Sequence, residues 1–70
     1  MKKMREIESQ LKANAFLKDD SSNEWRRDDL TIRFLGDQME VYEELNVRGT
    51  PKYYLSEIDI QILRDILDEI

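Results

Sequence analysis

The sequence predicts one α+β domain: an N-terminal helix, a three- or four-stranded antiparallel β-meander and a C-terminal helix, with both helices on one face of the sheet. Three observations predict it. Apolar residues recur at three- and four-residue spacing near both ends of the chain, as on the buried face of a helix. Between those segments apolar and polar residues alternate, the period of a half-buried strand. Gly36-Asp37 then stands between two alternating runs, where a two-residue primed turn joins hairpin strands. With 70 residues and no linker or repeat, the chain is read as a single domain over 1–70.

The first helix is expected from Lys3 to Leu17. Met4, Ile7, Leu11 and Ala15 line one face, and Phe16 and Leu17 extend it. The polar run Lys18-Asp19-Asp20-Ser21-Ser22-Asn23 ends it. The central hairpin follows from register. Gly36-Asp37 as the turn sets Phe34 opposite Met39, Arg33 opposite Glu40 and Ile32 opposite Val41. Apolar side chains then meet on one face and opposite charges on the other; a slip by one residue destroys both matches. The segment before it extends the sheet in one of two ways. A tight turn at Asp28-Asp29 places Trp25 opposite Ile32 and Glu24 opposite Arg33. Alternatively one long strand carries a bulge there, because Asp-Asp is a weak hairpin signal.

Asn46 to Pro51 reads as a loop and Lys52-Tyr53-Tyr54-Leu55 as a short last strand, with Pro51 at its start where a missing N–H is tolerated. The second helix is expected to start at an N-cap on Ser56, with Asp59 as its capping-box partner and Leu55 and Ile60 as a hydrophobic staple. Its apolar stripe is Ile58, Ile62, Leu63, Ile66, Leu67 and Ile70. The sheet face bearing Trp25, Ile32, Phe34, Met39 and Val41 packs under the helices. The other face is expected to be open, carrying Arg26, Thr31, Arg33, Leu35, Glu40, Tyr42, Glu44 and Tyr54.

Composition limits the chemistry. The chain has no Cys and no His, which removes the thiolate, the usual general base and the commonest metal ligand. Ser21 and Ser22 lie in a helix-ending turn with no identifiable base. Asp19-Asp20 and Asp28-Asp29 lack the spacing of a calcium loop, and the two glycines are isolated, so no phosphate cradle is present. No catalytic residue, cofactor or metal is therefore expected. No apolar run approaches the roughly 20 residues that span a bilayer, so no membrane association is expected and a cytoplasmic location is the default. A core this small is often completed by oligomerisation, which makes a homodimer one expectation, with the second helix's stripe as a candidate seam.

Charge is the most informative feature. The net charge is −5, and it is unevenly placed: residues 1–18 hold five basic and two acidic side chains, while 19–45 hold three basic and nine acidic. The first functional expectation is a small acidic protein-binding module that acts by occupying its partner. Its candidate contact residues are Asp28, Asp29, Glu40, Tyr42, Glu44 and Tyr54. In a sharper form, Asp19, Asp20, Glu24, Asp28, Asp29, Asp37, Glu40, Glu43 and Glu44 would mimic DNA phosphates, against the plainer reading of a solubilising surface. The alternative is a single-stranded nucleic-acid binder. It would use Tyr42 and Tyr54 beside Arg26 and Arg33 on the open face, with Lys2, Lys3, Arg5 and Lys12 as a basic edge. In composition the chain, with its Met-Lys-Lys start, is similar to small proteins of bacteriophages and prophages. That likeness implies an inhibitor or regulator of a host protein.

Overall fold

The computed structural model describes residues 2–70, with side chains from Met4 onward. The chain runs α1 (Lys2–Ala13), β1 (Leu17–Lys18), β2 (Glu24–Arg27), β3 (Leu30–Leu35), β4 (Gln38–Tyr42), β5 (Tyr53–Leu55) and α2 (Ile60–Glu69). The strands form one antiparallel sheet of five in sequence order. Ile7 and Leu11 of α1 and Leu63, Ile66 and Leu67 of α2 share one buried cluster with Trp25, Ile32, Phe34, Met39 and Val41. Both helices thus cover the same sheet face, as expected for this α+β class.

The hairpin register is the expected one. Phe34 faces Met39, Arg33 faces Glu40 and Ile32 faces Val41. Gly36 takes φ 61° while Asp37 stays at negative φ, the pattern of a type II′ turn. The Asp28-Asp29 alternative resolves to the tight turn: Arg27 pairs with Leu30, Trp25 with Ile32 and Glu24 with Arg33. Asp28 supplies the turn's left-handed residue at φ 51°, which Asp tolerates better than most.

Two helix boundaries differ from expectation. The first helix ends at Ala13, not Leu17, and Ala15 lies outside it at φ 67°. The Phe16 N–H donates to Leu11 O at 3.0 Å and the Ala15 N–H to Lys12 O at 3.1 Å. These are the two bonds of a Schellman motif, with Phe16 folding back into the core that also holds Leu11. Arg27 fastens the same end: its guanidinium donates to Asn14 O at 2.8 Å and lies 4.7 Å from the Phe16 ring centre. Ending early frees Leu17 and Lys18 to pair with Arg26 and Trp25 as a short extra strand, so Leu17 is exposed rather than part of a helix face.

The second helix starts later than expected. Asp59, not Ser56, is the N-cap; its Oδ1 accepts from Gln61 N at 2.8 Å and Ile62 N at 3.2 Å. Ile58 and Leu63 then hold the staple positions, both buried in the core, in place of Leu55 and Ile60. The buried stripe of the helix is Leu63, Ile66 and Leu67, and Ile62, expected within it, lies at its margin and is 43% exposed.

The far sheet face is not open throughout. Thr31 is fully buried and Tyr42 is 5% exposed. These two are cross-strand partners. The chain after β4 folds back over them, and Thr31 Oγ1 lies 2.8 Å from Glu44 O and 3.2 Å from Leu45 O. A buried threonine hydroxyl thereby satisfies its hydrogen bond while anchoring a loop.

Candidate protein-binding surface

Meander topology decides where the acidic residues go. Successive turns alternate between the two ends of the sheet. Asp19, Asp20 and Asp37 therefore lie at one end, and Asp28, Asp29, Glu43 and Glu44 at the other. The nine middle carboxylates do not share one phosphate-like face.

At the second end, Asp29, Glu43, Glu44, Leu45, Asn46 and Arg48 line one open depression, with Asp28 adjacent in the β2–β3 turn. Leu45 is 48% exposed there. The depression is internally ordered. Glu44 Oε1 accepts from the Arg48 N–H at 3.1 Å, and Lys52 Nζ lies 3.1 Å from Glu43 Oε2. The Glu43 carboxylate raises the Lys52 ammonium above its ordinary range. Asp28, Asp29 and Glu44 bring three of the six expected contact residues together. Leu45 is not among the expected contact residues. Its only signal was an apolar side chain in the polar run Glu43 to Asn46, outside any periodic pattern.

The other three candidates do not line this depression, although Tyr42 borders Glu43 and Glu44 from the far face. Glu40 is half-buried in the middle of the far face, in the cross-strand row Glu24, Arg33, Glu40, Tyr54. Its Oε1 lies 3.6 Å from Arg33 Nε and has no hydrogen-bond partner. Tyr42 is buried, and that burial, with the Glu40 carboxylate beside it, raises its hydroxyl above the ordinary phenol range. Tyr54 alone of the far-face tyrosines is exposed, at 51% on the edge strand.

Among the described residues, the same face carries no arginine without an acidic partner. Arg26 bonds Asp19 at 2.6 Å and also Glu24, while Arg33 faces Glu40. The Arg26 guanidinium, helped by the Ser21 N–H and hydroxyl, holds the Asp19 carboxyl far below the usual carboxylate range. A stacking platform for single strands needs accessible aromatic faces and cations free for phosphates. Here Tyr42 is covered and both arginines are committed. Arg5 and Lys12 are exposed on α1, and the Lys2 and Lys3 side chains lie outside the described residues.

Among the described residues, no group of three or more carboxylates is placed to hold a metal ion, and no helix is long and apolar enough to cross a membrane. Comparison of the chain with protein-family models, curated proteins and solved structures finds no match.

Proposed function

We propose that the chain is a small non-catalytic module that binds a basic protein surface through the acidic end of its sheet. The observation that carries this reading is Leu45, a large apolar side chain held 48% exposed beside Asp29, Glu43 and Glu44. An apolar anchor within a charged rim is the anatomy of a recognition patch. The carboxylates steer a cationic partner and repel anionic ones, and Leu45 supplies the dehydrated contact. The partner is regulated by occupancy, with no turnover. The compositional likeness to small phage and prophage proteins supports an inhibitor or regulator of a host protein as the finer form.

Site-specific photocrosslinking in the native cell tests the reading. A photoreactive residue at position 45 is expected to capture one basic partner, and the same residue at Leu35, exposed at the opposite end, is expected not to. Asp28→Lys with Glu44→Lys should abolish the adduct. An adduct that survives this charge reversal, or none at position 45, rejects the acidic end as the binding surface.

A further inference from the structure

A second surface lies away from the acidic end. β5 is an edge strand, and among the described residues no strand pairs with its outer side. Pro51 and Lys52 guard its approach, leaving Tyr53–Leu55 as the available edge. α2 runs beside that edge. The Tyr53 hydroxyl donates to Glu69 Oε2 at 2.5 Å, and Ile62 shares a depression with Tyr54 and Leu55. Ile62 and Glu69, at i and i+7, border the strand, and Asp65, at i+3, adjoins them on the exposed face of the helix. Tyr54 and Ile62 are two of the exposed large hydrophobic residues, at 51% and 43%. Glu57 and Asp59 line the same depression, so its walls are acidic. The one cation of α2, Arg64, reaches away to Gln10 on α1, 3.3 Å from its Oε1.

We propose that this edge binds an extended segment of a partner protein that carries both apolar and Lys or Arg residues, added as a further strand. Main-chain hydrogen bonds to β5 supply affinity without sequence demand, and the flanking side chains supply selection. Side chains of an added strand alternate between faces. One set meets Tyr54; the other meets Leu55 and Ile62, with Asp65 and Glu69 beyond. The charge pattern chooses among occupants. A second copy of this chain would set like carboxylates against one another, and a nucleic acid would set phosphates against them. A basic extended segment neutralises them. This surface shares no residue with the depression around Leu45, so it stands or falls separately.

The test is a random heptapeptide library panned against the immobilised full chain, followed by titration of the enriched consensus peptide. Enriched peptides are expected to combine apolar residues with at least two Lys or Arg. The consensus peptide should bind the Ile62→Lys and Asp65→Lys variants about tenfold more weakly. Both positions are exposed, and circular dichroism confirms that the variants fold. Amide exchange at Tyr53–Leu55 should slow in the complex, because an added strand pairs with that backbone. Asp28→Lys with Glu44→Lys should leave the affinity unchanged, which separates this site from the acidic end. Failure to enrich, enrichment of acidic or neutral peptides, full binding by Ile62→Lys, or unchanged exchange at β5 each overturns the proposal. Sedimentation showing dimers that Ile62→Lys dissolves assigns the edge to a second copy and overturns it too.

Discussion

Ala15→Gly should stabilise this protein. Ala15 sits at φ 67° as the residue that closes the Schellman motif, a position that glycine usually holds. Left-handed backbone costs an L-residue about 1–2 kcal/mol, through the approach of Cβ to the following carbonyl oxygen. Glycine removes that cost but gains freedom in the unfolded chain, which returns about 0.4–1 kcal/mol. Ala15 is exposed, so little packing is lost with its methyl group. The net gain is about 0.5–1 kcal/mol, or a rise in Tm of about 3–6 °C for a domain of this size. Gly49 provides the mirror experiment. It takes φ 64°, and a Cβ built there meets nothing within 4 Å, so Gly49→Ala adds conformational strain alone. Its loss should roughly match the gain at position 15, and the double variant should return near the parent. Urea unfolding of the four proteins measures all three differences. If Ala15→Gly is neutral or destabilising while Gly49→Ala destabilises, the α1 terminus is not closed by a strained alanine, and the account of why the helix stops is wrong.

Three further outcomes follow from named contacts. Thr31→Val keeps the shape of a fully buried side chain but removes the hydroxyl that holds Glu44 O and Leu45 O; it should cost about 1–2 kcal/mol in urea unfolding and speed amide exchange across residues 43–46. Asp59→Ala removes the α2 cap and should cost about 1 kcal/mol, whereas Ser56→Ala should be near neutral by the same assay. Asp19 is held below its ordinary value of 3.8 in the folded state, so its contribution is present above that value and is lost as pH falls toward the folded one. The stability difference between the parent and Asp19→Asn should therefore be full at neutral pH and shrink below about pH 4; a difference constant from pH 7 to pH 3 would rule out the Arg26 pairing as its source.

The parts legible in the sequence share one property: two independent constraints agree. The β3–β4 register satisfies both the apolar match of Phe34 with Met39 and the charge match of Arg33 with Glu40. Either alone is ambiguous; together they admit one pairing. β1 was not legible, because two residues carry no period. The end of α1 was hidden because alanine is the best helix former, and nothing local marks Ala15 as left-handed. At α2, Ser56 and Asp59 are both good caps, and the choice falls to packing: capping at Asp59 sends Ile58 into the core as the staple partner of Leu63. Of the candidate contact residues, Tyr42 shows the limit of periodicity. Alternation correctly assigns it to the far face. Which parts of that face a loop later covers depends on chain far outside the strand.

That covering loop ties stability to presentation. Thr31 Oγ1 anchors the backbone at Glu44 and Leu45, and the same two residues supply a carboxylate and the exposed apolar anchor of the acidic end. The contact that hides Thr31 is thus the contact that holds Leu45 outward. If the hydroxyl were merely filling its own hydrogen-bond capacity, Thr31→Val would lower stability and leave partner capture at position 45 unchanged. If it orders the patch, capture should fall under conditions where the variant is still fully folded, because the loop must then be ordered at the moment of binding. Tyr54 and Ile62, on the opposite side of β4 from this anchor, should be indifferent to the change. One substitution in the core of the sheet therefore separates the two surfaces: it weakens the one that depends on the loop and spares the one built on the strand edge.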